Sequence, residues 1–245
     1  MKKNLTSILL FLLIAGSSVA QDAPSMFAVY ESKVRPSLDA NYRDAVKKFK
    51  AACQQHKMTF SWIAGELNDN SYIYLVPMKS FADLDKNMFA DLETKIGKEA
   101  LAGLWQGMDK CVENQSSLVA LFLPGSSYLS PAPDDYFRSL LYWFPEFGKD
   151  AEAEKLIAEW IKLNNSKKSP AGVQCYRNIF GGEGGYVFVT WGKNPADHAA
   201  KEQKAGELMG DERGKLWART LLITRKYYTR VGWLSPELGY SPAAN

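Results

Sequence analysis

Only three cysteines and two histidines occur among the 245 residues, which excludes a disulfide-stapled scaffold and leaves no Cys/His spacing typical of a zinc site. The odd count leaves at least one thiol unpaired in each chain. Cys53, Cys111 and Cys175 each sit in or beside an apolar stretch, the usual setting of a small buried hydrophobe. Three free thiols are expected, with Cys53 and Cys111 at opposite ends of a sheet, beyond the Cα limit of about 7 Å for a bridge. Excess charge is also missing: 30 basic side chains stand against 27 acidic ones. That balance argues against nucleic-acid binding through bulk charge. Past the N-terminus, no apolar run approaches the roughly 20 residues that span a bilayer.

The N-terminus is different. Lys2 and Lys3 precede a mostly apolar run, Ile8 to Ile14, and then Gly16-Ser17-Ser18-Val19-Ala20 supplies small residues before Gln21. This pattern predicts a secretory signal cleaved after Ala20 and a secreted or periplasmic mature protein with no membrane span.

What organises the rest is repetition. The alternating strands Ser71 to Val76 and Gly185 to Thr190 align at a shift of 114, and at that shift Ser80 falls on Asn194, each a helix N-cap candidate. Leu104-Trp105 recurs as Leu216-Trp217, and Tyr128-Leu129-Ser130-Pro131 as Trp233-Leu234-Ser235-Pro236.

Each half reads β-α-β-β-α-β. The first has strands at Phe27 to Glu31, Thr59 to Leu67, Ser71 to Met78 and Leu118 to Leu123. Its helices are Asp39 to Lys57, and Ser80 to Val112 broken near Gly97. The second has strands at Leu140 to Phe144, Val173 to Ile179, Tyr186 to Trp191 and Leu222 to Tyr228. Its helices are Asp150 to Leu163, Asn194 to Leu208 and Asp211 to Thr220. The prolines of Ser130 to Pro133 mark the join, giving a signal at 1–20 and repeats at 21–131 and 132–245.

Such a unit leaves one sheet face bare, and two units bury those faces together. This α+β organisation, two tandem ferredoxin-like repeats packed sheet to sheet, resembles the dimeric α+β barrel superfamily, in particular its NIPSNAP-like and antibiotic-biosynthesis-monooxygenase-like members. The resemblance implies an intramolecular barrel with a ligand held between the sheets or at the mouth.

Alternation places Ile73, Leu75, Val187 and Val189 opposite Tyr72, Tyr74, Tyr186 and Phe188. The aliphatic set is expected under the helices and the aromatic set in the space between the sheets, as filling or as pocket lining. Glu66, Tyr72, Tyr74, Tyr142, Arg177, Tyr186 and Phe188 are therefore the candidate ligand-binding residues, with Glu66 and Arg177 free to pair with each other or to lie on the surface. Trp105 and Trp217 read as core anchors and Trp233 as a plug at a barrel end. The glycine cluster at 181–185 lies between strands, so it is a hairpin turn rather than a phosphate loop.

Haem-degrading members of the superfamily carry an iron-ligating histidine on the helix where His198 falls. The first half has no counterpart, and Asp197 to Lys201 looks solvated. His198 is therefore read as a surface residue, with no cofactor and no metal assigned. A module binding a small, partly aromatic or apolar ligand is the leading reading. A cofactor-light oxygenase or isomerase and a protein-interaction scaffold are the alternatives, and the sequence leaves oligomeric state and catalysis open.

Overall fold

The computed structural model describes residues 26–130 and 135–242. The signal at 1–20 and the boundary at 131/132 lie outside the described residues.

In the first half, β1 (Met26–Val34) leads into α1 (Asp39–Gln55), the hairpin β2 (Ile63–Leu67) and β3 (Ser71–Met78), helices α2 (Ala90–Ile96) and α3 (Lys98–Asp109), and β4 (Val112–Phe122). The second half repeats the order: β5 (Phe137–Pro145), α4 (Asp150–Lys167), β6 (Val173–Phe180), β7 (Tyr186–Gly192), α5 (Pro195–Met209), α6 (Asp211–Leu222) and β8 (Thr224–Leu234). Local signals account for the borders. Gly97, at φ 88°, separates α2 from α3, and the Asn194 side chain caps α5 by accepting from the Asp197 N–H at 2.9 Å.

The strands close into one antiparallel barrel in the order β1-β3-β2-β8-β5-β7-β6-β4. Each half contributes a four-stranded sheet, and the β2–β8 and β4–β6 pairs are the seams between halves. The helices cover the outside. Val46, Phe49 and Cys53 of α1 pack with Leu101 and Met108 of α3 in one core, and Leu156 and Ile157 of α4 pack with Met209 and Leu216 in the other.

Contacts across the barrel fix which residues point inward. Arg230 on β8 reaches Glu31 on β1, with two strands between them around the ring, at Nη1–Oε2 and Nη2–Oε1 distances of 2.9 and 2.8 Å. Its Nη2 also donates to Asp69. Tyr142 stacks on Tyr228 at 4.8 Å between centroids, and Phe27 on β1 meets Tyr176 on β6.

Four expectations change here. Trp233 is not a plug: it lies in β8, 42% exposed, on the outward face against Phe137. Strand β8 runs on to Leu234, and Val112 opens β4 instead of closing a helix. The Tyr-Leu-Ser-Pro match pairs unlike places, since Tyr128 lies beyond β4 whereas Trp233 lies within β8.

The true counterpart of Tyr128 is Tyr240. Past β4, Tyr128 bridges Val173 of the second half, with reciprocal N–H to carbonyl bonds of 2.8 and 2.7 Å. Past β8, Tyr240 bridges Trp62 of the first half, both bonds 2.9 Å. Each half thus extends an arm into the other. The C-terminal arm is the better buried: Leu238 and Tyr240 belong to the first half's core, and the Tyr240 hydroxyl donates to Met58 O at 2.7 Å.

Candidate functional site

Six of the seven candidate residues face the helices and not the inter-sheet space. Tyr72 donates to Asp39 on α1 at 2.6 Å and packs on Tyr42. Tyr74 belongs to the same core, while Tyr186 and Phe188 pack in the core under α4 and α5. Glu66 pairs with Arg43 of α1, and Arg177 pairs with Asp150 and Glu154 of α4, so the two never meet. Tyr142 alone points inward. The alternation was read correctly and the faces were exchanged. Rings on this outer face bridge the gap to the helices, where the Tyr72 hydroxyl finds a partner in Asp39 and the buried Tyr186 hydroxyl has none among the described residues.

Cavities accordingly lie outside the barrel wall. One of about 710 Å³ occupies the second half between the sheet and α4, α5 and α6. Its floor is the outward row Leu141, Phe188 and Thr229 with Ser139 and Thr190, and its walls include Trp143, Trp160 and Trp217. Trp143 and Trp160 are held by bonds from their indole N–H to Thr224 (2.7 Å) and Thr220 (3.1 Å). Gly206 of α5 and Gly214 of α6 line the helical side, and Gly210, at φ 52°, lies at the break between the two helices. Gly206 and Gly214 were the overlooked signal, since glycine inside a helix is costly without a packing reason. Arg213 pairs with Glu202 at 3.2 Å among the lining residues, and neither was singled out from sequence.

His198 also lines this cavity, so it is not a surface histidine. Its Nε2 lies 2.7 Å from the Thr190 hydroxyl, and its ring stands edge-on to Phe137. Burial lowers its pKa, opposed by Glu202 and Asp197 and aided by Lys201, so the ring is neutral near pH 7. The Thr190 hydroxyl thus engages one of the two ring nitrogens. Among the described residues, no group of three or more His, Cys, Asp and Glu is placed to hold a metal.

A second cavity, about 520 Å³, occupies the equivalent place in the first half under α1 and α3. Trp62, Trp105 and Phe49 wall it, and Tyr42 and Tyr74 contribute hydroxyls. Trp105 packs against the first-half core and lines this cavity, whereas Trp217 is no core anchor: it lines the second-half cavity and stands edge-on to the exposed Tyr227. The three cysteines are buried and unpaired, and burial pushes the Cys53 and Cys175 thiols up to about 12. Cys53 and Cys111 share one core.

No family model and no curated protein matches the sequence. Solved structures do. A candidate monooxygenase from Lactobacillus acidophilus aligns at a TM-score of 0.56 and 12% identity, covering 90% of this chain and 97% of that one. An anthrone oxidase-like protein aligns at 0.59 and 13%, covering 91% and 95%. Chlorite dismutase from Candidatus Nitrospira defluvii, in complex with imidazole, aligns at 0.53 and 10%, covering 87% and 92%. At these identities the likeness concerns architecture. The chain has the dimeric α+β barrel fold, with both ferredoxin-like halves supplied by one polypeptide.

Proposed function

We propose that the protein binds a flat, partly aromatic ligand in the cavity of the second half, between its sheet and α4 to α6. The observation that carries this reading is a roughly 710 Å³ space lined by Trp143, Trp160, Phe188 and Trp217, with Thr190, His198, Glu202 and Arg213 among its polar groups. Ligand sites are commonly concave and apolar, with a small number of polar side chains that set orientation. Anthrone, a tricyclic ketone named for one structural neighbour, is a suitable probe. Calorimetric titration should give saturable binding that Ala205→Phe, which fills the cavity from α5, abolishes. Unchanged affinity in that variant would overturn the assignment.

One observation favours a second reading, an oxygenase needing no cofactor: a neutral imidazole faces the same cavity. His198 would take a proton from the anthrone methylene, and the carbanion would reduce O₂, giving anthraquinone and water from one anthrone and one O₂. Oxygen uptake should then accompany anthrone loss and fall towards acid pH, below the ordinary imidazole range, because burial lowers the pKa of this ring. His198→Gln should stop uptake while calorimetric binding persists. A flat oxygen trace in the wild type would remove this reading and leave binding intact.

A further inference from the structure

Strand β8 runs past the strand beside it. Strand β2 pairs with β8 only at Gly232 to Leu234, and a bond of 2.9 Å from the Asn68 N–H to the Val231 carbonyl closes that stretch. From Arg225 to Thr229 every residue of β8 is exposed, and β5 is its one partner strand there among the described residues. Backbone groups along a paired strand turn to one side and the other at alternate residues. Val231 turns its carbonyl toward β2, so Thr229 and Tyr227 turn their N–H and C=O groups the same way, into the open. Natural sheets cover, blunt or pair such an edge.

The first half has the same overhang with different chemistry, which makes it an internal control. Val112 and Thr224 open equivalent strands, for each pairs with the last residue of its half's first strand, Val34 or Pro145. The exposed stretch of β4, Glu113 to Ser117, is polar throughout. Its counterpart in β8 carries Tyr227 and Tyr228 between Lys226 and Thr229. Beside it, Leu222 and Phe147 are each 83% exposed, where the first half has Lys110 and Pro36. Arg225 lies over the Phe147 ring at 4.7 Å, which joins these apolar tips to the edge in one patch. Exposed apolar side chains grouped beside an open edge mark an interaction surface.

We propose that this edge pairs with the same edge of a second copy of the chain, antiparallel about a two-fold axis at Tyr227, so that the protein is a dimer. An isologous contact requires a surface complementary to itself, and charge selects the register that provides it. Centred on Tyr227, the pairing sets Lys226 against the partner's Tyr228 and Arg225 against the partner's Thr229, and Tyr227 exchanges both backbone bonds with its own counterpart. Centred on Lys226, it would oppose two ammonium groups. Centred on Tyr228, it would set Arg225 against Val231, whose carbonyl Asn68 already engages. Glu183 meets Lys226 at 2.9 Å and Arg225 at 3.6 Å, so one of the two positive charges on each edge is offset before the copies meet.

Light scattering on the purified protein should give the mass of two chains. Tyr227→Pro removes an N–H that makes no bond within the chain, so it should halve that mass and keep the circular dichroism of the fold. Crosslinking tests the register and does not depend on the proline variant folding. Across a hydrogen-bonded pair the Cα atoms lie about 5.5 Å apart, within reach of a disulfide. Under mild oxidation Tyr227→Cys should therefore form a covalent dimer. Thr229→Cys should not, because its counterpart lies roughly 14 Å away along the strand. The three native cysteines are buried and do not compete. A one-chain mass in the unaltered protein, a dimer that folded Tyr227→Pro leaves intact, or a dimer in which Tyr227→Cys crosslinks no better than Thr229→Cys, as pairing through β4 would give, would each overturn the proposal.

Discussion

Two tyrosines on β3, separated by one residue, measure what a buried hydroxyl contributes. Tyr72 donates to a carboxylate, so Tyr72→Phe should cost about 1.5 kcal/mol in urea unfolding. Tyr74→Phe loses no bond and should leave stability level or raise it. Arg230 makes the complementary case inside the barrel. Its side chain is 16% exposed, and removing it strands Glu31, so Arg230→Met should cost about 2 kcal/mol at pH 7. Burial would raise the Asp69 carboxyl, but hydrogen bonding and the charge of Arg230 outweigh burial and hold it below its usual value. A depressed carboxyl stabilises the fold above its unfolded pKa of about 3.9, and that contribution disappears as pH falls through the lower folded value. Unfolding free energies measured between pH 2 and pH 7 should therefore fall less steeply on the acid side in Arg230→Met. None of these pairings was legible in the sequence. Glu31, Asp69 and Arg230 become neighbours only when the ring closes, and Glu66 and Arg177 went to helices for the same reason.

Elements with strong periodicity were read nearly to the residue. Helix α1 and strand β3 start where their apolar spacing starts, because α1 buries Tyr42, Val46, Phe49 and Cys53 on one face and β3 opens on three buried residues. Strands with weak alternation were misjudged. The sequence Tyr227-Tyr228-Thr229-Arg230 hides the continuation of β8, since it shows no alternation of apolar and polar residues. The seam between halves depends on that hidden stretch. Gly232 pairs with Leu67 there, and a Cβ at this position would collide with the carbonyl oxygen of Glu66. Gly232→Ala should therefore cost about 2 kcal/mol by forcing β2 and β8 apart, a loss visible in thermal unfolding. The cavities were invisible for a different reason: a void is bounded by what is small, and glycines at 206, 210 and 214 carry no chemistry to notice.

At the scale of the molecule, duplication was legible because each half repeats its elements in order, whereas the crossing arms were not. Export remains our proposal, and N-terminal sequencing of the mature protein should begin at Gln21. Deleting residues 235–245 should expose Trp62, seen as a red shift of its fluorescence, and should destabilise the first half although the cut lies in the second. The same arm carries a consequence for how the protein is made. The ribosome completes β1 to β4 more than a hundred residues before it makes the strand-like cap over Trp62. Chains carrying the first half alone should therefore wait with an open apolar flank, and emergence of the arm, not of the first half, becomes the moment at which the fold can lock.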